Sequence, residues 1–157
     1  MSEPSSVSPS RRSLRALGPG FIGSLSLTLI HEGARRVLGN PPRMDVLGKR
    51  SLKKGLRKLG LRPARGRRLH RQALVGDIVS NSLYYSLISV GRPRRPYLRG
   101  ALLGAIAGVG AVLLPPVLGL GKRPSRASAS TALLTVAWYL LGGLVAASAT
   151  PKVLAEG

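Results

Sequence analysis

Long stretches of apolar residues alternate along this chain with short segments rich in arginine and lysine. Between Arg99 and Lys122 lie 22 residues without a charged side chain, and a second such stretch of 25 residues follows Arg126. About 20 helical residues cross the hydrocarbon core of a bilayer, which is about 30 Å thick. A surface helix of a soluble protein needs a polar face along its whole length instead. The pattern therefore predicts transmembrane helices at residues 100–121 and 127–150.

Two less apolar stretches complete the predicted bundle. Residues 16–34 contain Pro19, which we place near the helix start, where its missing N–H has no partner to lose. Residues 72–91 contain Asp77, and a central aspartate costs roughly 2.5 to 3.5 kcal/mol on insertion, so this span needs neighbouring helices. The sequence predicts an all-α integral membrane bundle of four transmembrane helices, or of three if residues 16–34 do not cross.

A polar tail and a basic linker make up most of the remaining chain. Residues 1–13 are rich in Ser and Pro and predict a disordered tail ahead of a single domain, 14–157. The linker, residues 35–71, holds 14 Lys and Arg and a single acid. Leucines recur at helical spacing over 52–59 and are flanked by lysines and arginines. This pattern predicts a short basic amphipathic helix in the lipid headgroup plane, followed by an irregular loop up to residue 71.

The distribution of charge predicts an orientation. The chain carries 25 Lys and Arg against 5 Asp and Glu, and 17 of these basic residues fall in segments 35–71 and 122–126. In a four-span arrangement both segments lie on one side, which the positive-inside rule makes cytoplasmic, with both termini outside. Three arginines of the N-terminal tail oppose this orientation. The conflict disappears if residues 16–34 do not cross, because the tail then joins the cytoplasmic side.

Motifs that could carry catalysis are incomplete. Residues 18–23 spell G-x-G-x-x-G, but RRSLRA precedes them instead of a strand, and no acid follows at the required distance. His31–Glu32 does not continue to H-E-x-x-H, because Arg35 stands where the second histidine would be. The chain has no cysteine, which excludes disulfides and cysteine-ligated metals. We predict no catalytic residue, no metal site and no cofactor, and therefore no enzyme.

Polar residues inside the apolar stretches are the most specific sign of a site. His31 and Glu32 end the first span, and Asp77, Asn81 and Tyr84 follow one stripe of the second. Ionisable groups inside a membrane are costly and point to function. The cluster would handle a proton or cation or hold a headgroup. The alternatives are hydrogen bonding between helices, with Asp77 paired to His31 or a loop arginine, and an exposed aspartate at the interface.

Small residues recur at four-residue spacing in the last two predicted spans. Such rows let helix backbones approach closely in lipid, where no hydrophobic effect drives helices together. We expect them to pack helices and to offer faces for assembly with a second copy or a larger membrane complex. They are Gly100, Gly104, Gly108, Gly142, Gly143 and Ala146.

The basic linker is the second candidate surface. We expect it to contact anionic lipid, to which each basic residue near the surface contributes roughly 1 kcal/mol, or an acidic partner protein. Nucleic acid is the weaker alternative, because no aromatic residue that could stack on a base falls between Phe21 and Tyr84. The candidate residues are Lys49, Arg50, Lys53, Lys54, Arg57 and Lys58.

Several segments resemble a family of small bacterial multi-pass membrane proteins to which no function is assigned. The segments are GFIGSLSLTLIHEGARRV, PRMDVLG, GDIVSNSLYYSLI and TVAWYLLGG. The resemblance implies a helical bundle in a bacterial cytoplasmic membrane and supplies no activity. We therefore expect a structural or accessory membrane protein, the alternative being a small transporter or ion-conducting protein that uses the polar cluster.

Overall fold

A computed structural model describes residues 9–91 and 93–155, with the side chains of 15–91 and 93–150. All regular secondary structure in these ranges is helical, which confirms the predicted all-α class. The helices are α1 (Pro9–Val37), α2 (Met44–Lys58), α3 (Gly66–Ser86), α4 (Pro96–Val117), α5 (Arg123–Arg126) and α6 (Ala129–Ala155).

The four long helices form an up-and-down bundle in which sequential long helices run antiparallel. Helix α1 packs against α3 and α6, and α6 packs against α4 as well. At the α4–α6 contact, Gly100 lies opposite Gly143 while Gly108 lies opposite Val136, so these two helices run in opposite directions. Helices α2 and α5 pack together at the end of the bundle where α1 and α4 finish and α3 and α6 begin. We call this the basic end.

Two helices are long and apolar enough to cross a membrane, Pro96–Val117 and Ala129–Thr150. Only 28% and 39% of the residues in their most apolar windows are buried in the bundle, whereas the core helix of a soluble protein is mostly buried. Within the described chain, α1 and α3 do not meet the same criterion. Serines, glycines and charged residues in α1 and α3 lower the mean hydropathy of these two helices.

The boundaries of α3 differ from those predicted. The helix begins at Gly66, inside a segment predicted to be irregular, and ends at Ser86, before the predicted limit at residue 91. Arginines at its start form helix readily when solvated, so the charge marks the edge of the apolar stretch and not the helix boundary. After Ser86 the backbone forms tighter turns, in which N–H groups bond to the carbonyl three residues before. These turns end at Gly91, whose φ is +77°.

Helix α1 is longer than predicted, and this changes the position of its proline. The helix begins at Pro9, within the tail 1–13 that was predicted to be disordered, while residues 1–8 lie outside the described part of the chain. Pro19 is therefore buried inside the helix and not at its start, which corrects the sequence prediction. Because proline lacks an N–H, the carbonyl of Arg15 loses its intrahelical partner.

Helix α4 ends at Val117, directly after the paired prolines Pro115 and Pro116 and before the predicted limit at residue 121. Gly119 adopts a φ of +68°, its N–H donates to the Pro116 carbonyl at 3.0 Å, and the Leu120 N–H donates to the Pro115 carbonyl at 2.8 Å. This pair of bonds is a Schellman motif, which satisfies two of the helix's last carbonyls.

The amphipathic helix of the linker is also present, as α2, but it begins at Met44 instead of near residue 52.

The interior of the bundle combines buried serines and threonines with an apolar cluster that includes Leu27, Tyr85 and Trp138, and the outer faces of the long helices are apolar. Buried hydroxyl groups bond across the helices: Ser24 donates to the Ile78 carbonyl at 2.9 Å, and Ser89 and Thr150 lie 2.8 Å apart. Large apolar side chains are exposed on every long helix. They include Phe21, Ile22 and Leu29 on α1, Val75, Val79 and Leu83 on α3, Leu98, Leu102 and Ile106 on α4, and Leu133 and Leu141 on α6.

Candidate functional site

A small polar cavity lies between α1, α2 and α3 near the basic end. It has a volume of about 30 Å³, and three of the predicted site residues, His31, Glu32 and Asp77, line it. The antiparallel packing of α1 on α3 brings these side chains to one depth. Sequence reasoning missed Asp45 and His70, which also line the cavity. Asp45 was visible as the single acid of the linker, but its helix had been predicted to begin after it.

His31 is the most unusual side chain of the cavity. It is buried, and neither of its ring nitrogens has a hydrogen-bond partner in the described part of the chain. Its ring lies edge-on to Trp138 at 5.1 Å and to Tyr139 at 5.9 Å between centroids. The Thr28 hydroxyl beside it is also buried without a partner. Unpaired buried groups cost about 1–3 kcal/mol each, and a cavity of this size accommodates a water molecule that could satisfy them.

Asp77 and Glu32 each take a partner from their own helix. The Asn81 amide donates to the Asp77 carboxylate at 3.1 Å, and Arg35 pairs with Glu32. The expected pairing of Asp77 with His31 or a loop arginine is absent among the described contacts. We find no group of three His, Asp or Glu side chains in the described residues that could hold a metal ion.

Tyr84 lies apart from the cavity, although it shares a helix stripe with Asp77 and Asn81. Its hydroxyl donates to the Leu103 carbonyl of α4 at 2.9 Å. The neighbouring Tyr85, which sequence reasoning passed over, is fully buried and donates to the Tyr139 carbonyl of α6 at 2.7 Å. These two tyrosines join α3 to the other half of the bundle, so their position indicates a structural role.

Asp45 anchors the start of α2 between two cations. Its carboxylate lies 3.1 Å from the Arg43 guanidinium and 3.2 Å from the Lys49 ammonium. Partial burial acts to raise its pKa, but the hydrogen bonds and charges of Arg43 and Lys49 lower that pKa below the ordinary value. Lys49, one of the predicted surface residues, is therefore engaged within the chain.

The other five predicted surface cations line one cleft, which we call the cation cleft. Arg50, Lys53, Lys54, Arg57 and Lys58 share it with Gly119 and Leu120, and its volume is about 560 Å³. The Arg50 guanidinium donates to the Leu120 carbonyl at 2.6 Å, and the Lys54 ammonium donates to the Leu118 carbonyl. Carbonyls at a helix C-terminus carry partial negative charge, so these two side chains fasten α2 to the end of α4.

The predicted small residues all lie where helices of this chain meet. A Cβ added at Gly100 would stand 2.5 Å from the Gly143 carbonyl oxygen, and one at Gly142 would stand 2.9 Å from the Tyr85 hydroxyl. Ala146 faces Gly23 of α1 in the same way. These faces are occupied within the chain and are not available for the assembly with a partner that the sequence suggested. Contacts with a partner would have to use the outer faces of the helices.

The comparisons with known proteins add no relative to this picture. No family model, no curated protein and no solved structure matches the chain. The resemblance to small multi-pass bacterial proteins therefore stays a prediction, and no family supplies a role for the polar cavity or the cation cleft.

Proposed function

We infer that this chain is an integral membrane protein whose four long helices all cross the bilayer, and that its role is structural or accessory and not enzymatic. The single observation that carries the inference is that large apolar side chains are exposed on all four long helices, while buried serine and threonine hydroxyls lie inside the bundle. Soluble proteins rarely expose contiguous apolar surface of this extent. Acyl chains around the bundle would cover this apolar surface without cost, and several buried hydroxyls, such as those of Ser24 and Thr135, donate to backbone carbonyls inside it.

Helix α3 is the decisive case, because its sequence is only marginally apolar. The exposed large apolar side chains of α3 and of the turns that follow it form one stripe at spacings of three and four residues, while Asp77 lines the cavity inside the bundle and accepts a hydrogen bond from Asn81. Polar residues of membrane helices face the interior in this way. The stripe consists of Val75, Val79, Leu83, Leu87 and Val90. It begins after Arg71, the last basic residue at the start of the helix.

The basic end supports a cytoplasmic orientation for α2. Most of the lysines and arginines of the chain belong to the segments that meet there. Such a bias in the connecting segments sets membrane orientation and attracts the anionic lipid of the cytoplasmic leaflet. A bacterial cytoplasmic membrane with both termini outside is the arrangement we propose.

Single-cysteine labelling tests the four-span arrangement directly, since the chain has no cysteine of its own. Arg15→Cys and Val37→Cys lie on either side of the exposed apolar residues Phe21 to Leu29 of α1. A membrane-impermeant maleimide should label them from opposite sides of right-side-out and inverted vesicles. Labelling from the same side would show that α1 does not cross and would leave three spans. Lys58→Cys should react only in inverted vesicles, and its reaction from the outside would reverse the orientation.

An accessory role predicts a partner or a second copy on the outer faces of the bundle. Purification in mild detergent, followed by mass spectrometry of the bound proteins and lipids, identifies it. Recovery of a folded monomer that is stable in detergent without any bound protein would contradict the accessory role. It would leave the membrane assignment intact.

A small transporter or ion-conducting protein is the second candidate, favoured by the polar cavity. Its lining contains two imidazoles and three carboxylates, and His31 is buried there without a hydrogen-bond partner. The cavity volume of about 30 Å³ is small but sufficient for bound water, and the rings of Trp138 and Tyr139 lie edge-on to His31 from α6. Proteoliposomes showing ion flux that Asp77→Asn abolishes, and that Asp45→Asn preserves, would establish this candidate over the structural one.

A further inference from the structure

The cation cleft concentrates positive charge without any acid to balance it. Five basic side chains of α2 line it, and no negatively charged residue is among its lining. The three acids whose side chains the structure describes, Glu32, Asp45 and Asp77, all line the polar cavity instead. Like charges at helical spacing destabilise a helix, and an anion in the cleft would relieve that repulsion.

The five cations divide into two groups by what they already contact. Arg50 and Lys54 donate to the carbonyls after α4 and so hold the cleft in shape. Lys53, Arg57 and Lys58 line the same cleft and make no side-chain hydrogen bond within the described residues. Two ammonium groups and one guanidinium are therefore free to receive a ligand. A phosphate suits them, because guanidinium binds it through two parallel hydrogen bonds and ammonium as a point charge.

The residues at the rim of the cleft favour the phosphate of a phospholipid over a free phosphate ion. Gly119 and Leu120 line the cleft, and the residues immediately before them form the exposed apolar end of α4. Leu114, Val117 and Leu118 are all exposed there, with Val117 82% accessible. A free phosphate would use the cations alone. A phospholipid would use both surfaces, with its phosphate among the cations and its acyl chains along α4.

We propose that the cation cleft binds the phosphate of an anionic phospholipid, with the acyl chains lying against the exposed end of α4. The proposal rests on the membrane assignment made above and goes beyond it. General attraction of a basic surface to anionic lipid is diffuse, whereas this is one site with named ligands. Lys49 is outside the site because Asp45 engages it.

Two variants of equal charge separate a discrete site from a diffuse one. The cleft variant carries Lys53→Gln, Arg57→Gln and Lys58→Gln and keeps the two side chains that fasten α2 to α4. The matched control carries Arg62→Gln, Arg67→Gln and Arg68→Gln, which are exposed at the same end of the bundle and do not line the cleft. Both lose three positive charges from the same membrane face.

The measurement is retention of phosphatidylglycerol by the full chain in uncharged detergent, read by native mass spectrometry. We expect the cleft variant to retain the lipid about tenfold or more weakly than the control. The control protein should retain phosphatidylcholine more weakly than phosphatidylglycerol, because the choline cation is repelled by the lysines and arginine of the cleft. Inorganic phosphate at the same concentration should not displace the bound lipid.

Three results would overturn the proposal. Equal loss in both variants would mean diffuse attraction, and displacement by inorganic phosphate would mean an anion site without lipid. An acidic peptide that binds in a cleft-dependent manner and excludes phosphatidylglycerol would assign the cleft to a protein partner. Recovery of the wild-type chain as a folded soluble protein would instead refute the membrane assignment, so the two failures are distinguishable.

Discussion

At the scale of single residues, glycine positions decide how closely the helices approach. At Gly104 of α4 an added Cβ would stand 2.7 Å from the Tyr139 carbonyl oxygen and 2.8 Å from the Leu140 Cα. Both are backbone atoms, which cannot turn aside as a flexible side chain can. At Gly110 of the same helix the nearest atom is the Leu114 Cδ1 at 3.6 Å, an ordinary contact. The four-residue spacing of Gly100, Gly104 and Gly108 was visible in the sequence, but the helix that they face was not.

We therefore expect opposite effects from the same substitution at these two positions. Gly104→Ala should lower the free energy of unfolding by about 1–3 kcal/mol, because α4 and α6 must move apart. Gly110→Ala should be neutral or stabilising by up to about 1 kcal/mol, because alanine favours the helix. Unfolding of both variants in graded mixtures of mild and denaturing detergent measures the difference, and equal stabilities would refute the close contact.

Asp45 gives the molecule a pH-dependent contact at the start of α2. Its pKa is lowered in the folded chain, so its contribution to stability is fully present above the unfolded value, about 4, and is lost as the pH falls through the folded value. Asp45→Asn should therefore unfold more readily than the wild type at pH 7. The difference should shrink as the pH falls below about 4, where the unfolded wild-type chain takes up the proton first, and should disappear once the folded carboxylate is protonated as well. Unfolding midpoints measured from pH 7 to pH 3 check this, and a difference that is constant with pH would contradict it.

At the scale of elements, the sequence predicted which segments are helical better than where the helices end. Apolar stretches located α4 and α6, because both helices contain an uncharged stretch long enough to span a bilayer. The same reasoning began α3 at residue 72, since it treated the preceding arginines as a boundary, whereas the helix begins at Gly66. The cavity shows the same limit. Asp77 and Asn81, predicted to lie on one helix stripe, are neighbours. Tyr84, predicted to share their site, bonds to α4 and lies outside the cavity. Asp45 lines the cavity but was not predicted there, because the start of its helix was misplaced.

The join between α3 and α6 depends on the buried Tyr85 hydroxyl. Tyr85→Phe removes its 2.7 Å hydrogen bond to the Tyr139 carbonyl and leaves that carbonyl without a side-chain partner. We expect a loss of about 0.5–2 kcal/mol in the free energy of unfolding in detergent, the range for such bonds between membrane helices. Tyr97→Phe is the control, because Tyr97 is exposed and should lose almost nothing. Equal effects in the two variants would mean that this bond does not hold the helices together.

At the scale of the whole molecule, the distribution of exposed apolar surface separates a membrane protein from a soluble bundle. Ile106 in the middle of α4 is 61% exposed, and Leu59 after α2 is 74% exposed. A soluble protein would tolerate an arginine equally at either site. In a bilayer the two sites differ, because one meets acyl chains and the other meets headgroups and water.

Ile106→Arg should therefore impair membrane insertion, with a cost of roughly 2.5–3.5 kcal/mol at the helix centre, and Leu59→Arg should have little effect. The fraction of each variant that stays with the membranes after an alkaline wash, together with the amount of folded protein, measures the cost. Equal recovery of the two variants would argue that the exposed face of α4 does not contact lipid.

The contacts between α2 and the end of α4 impose an order on biosynthesis. Arg50 and Lys54 emerge from the ribosome well before Leu118 and Leu120, the residues whose carbonyls they bind. Helix α2 can pack against α3 as soon as α3 is made, but its attachment to α4 must wait until the third long helix has been translated, and Gly23 of α1 must wait longer still for Ala146. A chain truncated before residue 118 would therefore lack the two carbonyls through which Arg50 and Lys54 hold α2 against the end of α4.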